Sequence, residues 1–257
     1  MADDVAGVVL AAGAGRRLAP LTRRRPKPLC PVGGRALIDH ALDRVLPAVA
    51  GLGAVAVNLH HGADRLDAHL PASVHRSREE PVALGTAGAL GALAGWIDGR
   101  SVLVTNADAW FAPGLDLAAF VAGWDGERTR LLCVEDPWRG DFGTARYCGV
   151  ALLPAAVAAG LRAEPSGLYE VSWRDEAAAG RLDLVRHGVP FVDCGTPADY
   201  LAANLVASGG RSVVDPTARV GDGAVLERVV LWEGMEVAAG ERLVDTIRGD
   251  DLTLLIR

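Results

Sequence analysis

The sequence has little of what several protein classes are built around. Of its 257 residues four are cysteine, Cys30, Cys133, Cys148 and Cys194, and no two form a C-x-x-C pair. That spacing gives neither a zinc knuckle nor a disulfide framework, so reduced thiols and a cytoplasmic setting are the expectation. No apolar run approaches the ~18 residues a membrane span needs. The opening MADDVAGVVLAAG starts acidic and lacks the basic region of a signal peptide. Positive charge is not in excess: 26 Lys and Arg against 32 Asp and Glu leave a net charge of −6. This argues against a nucleic-acid partner, which needs a broad basic surface. Aromatic residues make up only 5%, too few to offer an obvious cage for a quaternary ammonium group.

What is present is an ordinary globular composition, 50% hydrophobic and 23% charged. The length suits one large domain, alone or with a small appendage. Short β-rich runs such as VAGVVL, AVAVNLH, SVLVTNAD, RLLCVE, YCGVALL and LDLVRH alternate with helical patterns. In LIDHALDRVLPAV, residues Ile38, Ala41, Leu42, Val45, Leu46 and Val49 form one apolar stripe. Helices are also expected at TAGALGALAGWI, capped by Thr86, and at GLYEVSWRDEAAAG and PADYLAANLVAS. This alternation predicts an α/β fold with a largely parallel, mixed sheet flanked by helices. Ligands in such folds gather at the carboxyl ends of strands, where a glycine loop (Gly13, Gly15) and Asp108 both fall.

Composition shifts at residues 208–212, SGGRS, which divides the chain into a main domain of residues 1–210 and a tail of residues 211–257. The tail steps by six through Val214, Val220, Leu226, Trp232, Ala238 and Val244. A hexapeptide period predicts a short left-handed parallel β-helix of about two coils, at roughly 18 residues each. So few coils bury little alone, so the tail is expected to pack on the main domain or on a second copy of the chain, a route to homo-oligomers.

The most unusual stretch is VLAAGAGRRLAPLTRRRPKPLCPVGGR, residues 9–35, with seven arginines and lysines and no acid. It is not a dinucleotide fingerprint, because Leu18 stands where the third glycine is required and three prolines follow. It is not a P-loop either, since G-K-[S/T] is missing. The remaining reading is a glycine loop whose N–H groups can cradle phosphate, followed by a stiff cationic arm. Pro26 and Pro28 flank Lys27 and restrict it, as suits a point-charge phosphate contact. Arg23, Arg24 and Arg25 read as a solvated basic run.

LAAGAGRRLAPLTRRRPKPLCPVGGRALIDHAL closely resembles the start of the sugar-1-phosphate nucleotidylyltransferases, whose signature is L-A-A-G-x-G-x-R-L-x-P-L-T followed by P-K-P-L. The resemblance continues through EEPVALGTAGAL, VTNADAWF and FVDCGTPADYLAAN, over about residues 5–205, and a period-six tail is common in the family. Arg16, Ala36 and Ala107 depart from the usual residues. The family's Rossmann-like nucleotidyltransferase fold is implied, with nucleoside triphosphate and sugar 1-phosphate as substrates. The reaction implied is attack of a sugar-phosphate oxygen on the α-phosphorus, with loss of pyrophosphate. By resemblance, Leu10, Ala11, Ala12, Gly13, Gly15, Gly85 and Thr86 surround the nucleotide. Arg17 sits on the β- and γ-phosphates and Lys27 on the α-phosphate. Asp108 and Asp193 hold magnesium (Mg2+), a hard ion commonly bound by one or two carboxylates plus phosphates. Gly88, Asp141 and Glu170 are the candidates for the sugar. Parts of the sequence resemble guanylyltransferases of mannose 1-phosphate and other parts uridylyltransferases of N-acetylmuramate 1-phosphate, which leaves base and sugar open. The alternative is a catalytically silent nucleotide-sugar-binding subunit, which would have little need of Arg17, Lys27, Asp108 and Asp193 together.

Overall fold

A computed structural model describes residues 5–256. Seven strands form the central sheet: β1 Val5–Leu10, β2 Val55–Leu59, β3 His75–Arg78, β4 Ser101–Asn106, β5 Arg130–Glu135, β6 Ala145–Leu153 and β7 Asp183–Arg186. Their order is β7-β5-β6-β4-β1-β2-β3. Four of the six pairings are parallel, and only β6 runs against its neighbours. β1 and β2 are apolar runs covered on both faces, as expected of parallel strands between helical layers. Val9, Val57 and Leu103 face one side, where Ile38, Ala41, Leu42 and Val45 of α1 (Leu37–Val45) cover them. Val8, Ala56 and Val104 face the other, beneath Ala87 and Leu90 of α2 (Gly85–Ala92). Among the described residues no helix is long and apolar enough to cross a membrane.

Most predicted elements are present, with informative differences. Thr86 does not cap α2, which already begins at Gly85; its hydroxyl accepts a bond from the Leu168 N–H at 2.8 Å and fixes a neighbouring segment. The same helical run breaks after Ala92 and resumes at Ala94–Ile97. The segment from Tyr169 to Trp173 winds as a π-helix before Arg174–Ala178 turns α-helical. β3 was not anticipated: HRSR is polar and only partly buried at the sheet edge. Nor was a small antiparallel ribbon, Ala109–Phe111 against Phe191–Asp193.

In the tail, parallel pairs link Val214 with Leu231, Val220 with Val237 and Leu226 with Leu243. Each pair is 17 residues apart, one fewer than three steps of six. The partners Leu231, Val237 and Leu243 fall one residue before Trp232, Ala238 and Val244, the positions predicted by a strict period of six. Leu231, Val237 and Leu243 are buried in one apolar cluster. Ala238 is exposed and Val244 only half-buried. Trp232 packs into the main domain with Leu18, Leu37, Tyr200 and Leu201.

Tyr200 lies on α3 (Pro197–Ala207), a helix whose N-cap Thr196 accepts from the Asp199 N–H. Its buried hydroxyl donates to the Pro31 carbonyl and accepts from Trp232 Nε1 at 2.9 Å, joining tail, helix and N-terminal arm. Removing that hydroxyl leaves a buried indole N–H without an acceptor. Tyr200→Phe is expected to lower the unfolding free energy by about 1–3 kcal/mol in urea titrations, with an unchanged far-ultraviolet CD spectrum.

Candidate active site

Two clefts open at the carboxyl ends of β1 and β4 and meet at Asn106 and Asp108. The first, of about 210 Å3, is lined mainly by apolar and backbone groups: Leu10, Ala11, Ala12 and Gly13 after β1, Gly85 and Thr86 of α2, and Lys27. The second, of about 280 Å3, is polar and carries Arg17, Asp141, Arg146, Tyr147 and Asp193. An apolar cleft and a charged one therefore share a single carboxylate.

A buried relay shapes the first cleft. The Ala11 N–H donates to Asn58 Oδ1 at 2.6 Å, and Asn58 Nδ2 donates to Glu79 Oε1 at 2.7 Å. The Leu84 N–H then donates to Glu79 Oε2 at 2.7 Å. Asn58 and Glu79 are 3% and 2% exposed, so both carboxylate oxygens are spent on protein donors in a dry setting. The relay ties the loop after β1 to the segment leading into α2. Gly85 has a positive φ of 71°, and a side chain there would meet the Ser166 carbonyl at 2.5 Å.

Asp108 follows β4 and Asp193 ends the short ribbon, whose register pairs Asp193 with Ala109. That pairing brings together carboxylates 85 residues apart in sequence. Burial pushes the Asp193 carboxyl up, with the charge of Asp108 adding to it, while Lys27, Arg17 and Arg146 oppose. Lys27 is buried and donates from Nζ to Asp108 Oδ2 at 2.5 Å; Arg17 lies 3.7 Å from Asp193. The two cations thus approach the carboxylate pair from different clefts. Among the described residues no cluster of three or more His, Cys, Asp or Glu suits a metal. Two hard carboxylates that repel each other do suit Mg2+, with the remaining positions left to phosphates and water.

Beneath the Asp108 turn lies a residue the sequence reading missed. Arg44 leaves α1 with its stem partly exposed and its guanidinium buried over the Phe111 ring, 4.8 Å from the centroid. It donates to the Ala109 carbonyl at 3.0 Å, to Thr105 Oγ1 at 2.9 Å and to the Asn106 carbonyl at 3.2 Å. These bonds brace the backbone on both sides of Asp108. Burial pulls the Arg44 guanidinium down to about 10, and the charge of Asp108 acts in the opposite direction.

Several expected contacts change. Gly15 and Gly88 line neither cleft. Gly15 takes a positive φ of 60° and turns the loop against Thr22 and Lys27. Gly88 lies under the Glu164 carbonyl, where a Cβ would stand 2.2 Å away, so its role is close packing and not sugar contact. Glu170 also lines neither cleft; it is exposed, and its carboxylate folds back over Gly167. Asp141 does reach the second cleft, where its carboxylate accepts from the Tyr147 N–H at 2.8 Å. The signal for Asn58 was legible: it is the one polar residue in the apolar run AVAVNL. Glu79 lay beside an equally plausible Glu80, and sequence alone does not choose between them. All four cysteines are buried and unpaired, and burial raises each thiol, so none is poised as a nucleophile.

Glu79→Gln turns an acceptor of two N–H bonds into a group with one acceptor and one donor. Its expected cost is about 1–3 kcal/mol of unfolding free energy. Hydrogen exchange at the Ala11 and Leu84 amides is expected to accelerate together, read by mass spectrometry; exchange at only one of them would show that the relay does not couple the two loops.

Residues 6–141 match the family model described as nucleotidyl transferase. The N-acetylmuramate alpha-1-phosphate uridylyltransferase of Caulobacter vibrioides is 40% identical over 131 residues, covering 47% of this chain and 53% of that protein. The glucose-1-phosphate adenylyltransferase of Frankia casuarinae is 48% identical over 67 residues, 26% of this chain and 16% of that one. The chain therefore spans about half the length of the first of these curated relatives and a smaller part of the second. Among solved structures, the mannose-1-phosphate geranyltransferase from Thermus thermophilus aligns with a TM-score of 0.72 at 19% identity, over 98% of this chain and 95% of that one. That likeness is one of fold, a Rossmann-like α/β architecture with a mostly parallel central sheet. With more than half of its length matched by the family model, the chain belongs to the nucleotidyl transferase family.

Proposed function

We propose that the protein transfers a nucleoside monophosphate from a nucleoside triphosphate to a sugar 1-phosphate. The observation that carries this reading is the meeting of two clefts at Asp108, one suited to a base and ribose and the other to a charged, hydroxylated partner. A sugar-phosphate oxygen forms the new bond to the α-phosphorus, the bond from that phosphorus to the bridging oxygen breaks, and pyrophosphate leaves with its electrons. Such chemistry rests on alignment and charge neutralisation more than on a covalent protein intermediate. Lys27, at the junction, would contact the α-phosphate and the incoming phosphate. Arg17 would take up the charge of the departing pyrophosphate. Asp108 and Asp193 would hold Mg2+, which supplies further charge neutralisation on the phosphates. A silent regulatory role has no feature in its favour, because the charged set is complete.

For the sugar, Arg146 supports a narrower reading. Its guanidinium reaches into the second cleft; among the described residues its one ion-pair partner is Asp136, loose at 3.5 Å, and it stands 5.7 Å from the Phe191 ring centroid. With Lys27 and Arg17 assigned to phosphates, Arg146 remains for a second acidic group on the sugar, such as the carboxylate of an N-acetylmuramate. The 40% identical relative, named as a uridylyltransferase of that sugar phosphate, supports this choice and uridine triphosphate as donor. The 17-residue spacing of parallel pairs supports reading residues 211–257 as a short left-handed β-helix appended to the catalytic domain.

Pyrophosphate release over a matrix of nucleoside triphosphates and sugar 1-phosphates with Mg2+ tests the proposal, and no turnover with any pair would overturn it. Asp108→Asn and Lys27→Ala are each expected to lower kcat by about 100-fold or more. Arg146→Ala is expected to raise KM by about 10- to 150-fold for an acidic sugar phosphate and little for its neutral counterpart, from a charge-assisted bond of about 1.5–3 kcal/mol. Equal losses for both sugars would reject the acidic-group reading.

A further inference from the structure

We infer that Arg25 is a positioning residue for Lys27, and that through it the C-terminal coil holds the reactive end of the lysine arm in place. This rests on the reading of Lys27 as a phosphate contact. The arginine run was expected to be solvated, and for Arg23 and Arg24 it is, both being exposed. Arg25 differs: its side chain is only 11% exposed. It donates from Nε to Asp250 Oδ2 at 3.1 Å and from one terminal nitrogen to Asp250 Oδ1 at 2.8 Å. Both terminal nitrogens also donate to Glu233, one of them to Oε2 at 3.2 Å. The guanidinium lies over the Trp232 ring, 4.3 Å from its centroid.

Every one of these partners belongs to the tail, while Arg25 stands two residues before Lys27. The far end of the same segment is tied down by the same ring. Trp232 donates to the Tyr200 hydroxyl, which donates to the Pro31 carbonyl. Between these anchors the backbone closes a tight turn, with the Leu29 N–H on the Pro26 carbonyl at 2.8 Å and the Cys30 N–H on the Lys27 carbonyl at 3.0 Å. Residues 25–31 are therefore gripped at both ends by residues around Trp232, and the one long side chain they aim into the clefts is Lys27. A buried ion pair is poor evidence for stability, since desolvation offsets most of its Coulomb gain. It fixes geometry well, because planar bidentate contacts accept few orientations. Placement matters here because an error of about 1 Å in a charge-stabilising group costs roughly 100-fold in rate.

The test uses the full chain and the variants Arg25→Lys, Arg25→Met and Asp250→Asn, each checked for folding by CD. With a substrate pair that turns over, Arg25→Met is expected to lower kcat by about 10- to 100-fold while nucleotide KM stays within about twofold. Arg25→Lys should retain part of the rate. The double variant Arg25→Met with Lys27→Met should be no slower than Lys27→Met alone, because Arg25 acts through the lysine. Multiplying losses, or a kcat within twofold in Arg25→Met, would overturn the inference. A second readout needs no turnover, so it separates this inference from the proposed function. Reductive methylation of Lys27, followed by mass spectrometry, should run several-fold faster in Arg25→Met and in Asp250→Asn than in the parent. Should Arg25→Met fail to fold, Asp250→Asn and Arg25→Lys decide the matter by the same labelling, and parent-like rates in both would reject it.

Discussion

Two carboxylates forced to face each other set the terms for the rest of this site. Asp108 and Asp193 come together because a three-residue ribbon pairs antiparallel at the end of the sheet. Burial raises the proton affinity of Asp193, and the charge of Asp108 adds to it. Two carboxylates placed together in a partly buried cleft call for counter-charge. Lys27 from one cleft, Arg17 from the other and Arg44 from below supply that counter-charge. The cations also differ in how freely they can move. Arg44 is locked by backbone carbonyls, Lys27 is held by a buried arm, and Arg17 is largely exposed. A polyanionic ligand entering the clefts can draw Lys27 and Arg17 away from the carboxylates, and Arg44 stays behind to hold the Asp108 turn.

The first cleft follows a different logic. Its walls are backbone and small side chains, and the precision lies one layer back, in Asn58 and Glu79. Small residues at Ala11, Ala12 and Gly13 leave the chain open to a flat ring, but they cannot fix their own position. The buried carboxylate does this for two loops at once. A glutamate buried to this degree is costly unless its oxygens are hydrogen-bonded, and here each accepts an N–H bond.

The layered α/β order was legible because period-two and period-3.6 patterns alternate along the chain and each apolar stripe has a matching face to cover. Of the charged residues in the clefts, Arg17, Lys27, Asp108, Asp141 and Asp193 were named by resemblance, and Arg146 carried no such signal. Three other things were not legible. Polar edge strand β3 carries no apolar alternation, so local pattern gives it no signal. Arg44 and Arg25 look like any surface arginine until the chain closes over them, because burial of a guanidinium depends on contacts far away in sequence. Asp250, for example, is 225 residues from Arg25. In the tail the parallel pairs fall 17 residues apart where a period of six predicts 18, and a single shortened step leaves no mark in the sequence pattern.

That short step has a consequence for how this protein can change over time. The step from Leu226 to Leu231 leaves the next residue, Trp232, outside the cluster of Leu231, Val237 and Leu243 and against Arg25 and Tyr200. One residue deleted there would put Trp232 five positions after Leu226, where Leu231 now stands, and swing the indole into the space beside Val237 and Leu243. Substitutions around this step alter one contact at a time, whereas a single-codon insertion or deletion would shift the frame of the whole anchor. Lineages carrying this arrangement should therefore vary in sequence along the coil while keeping the length of that one step fixed.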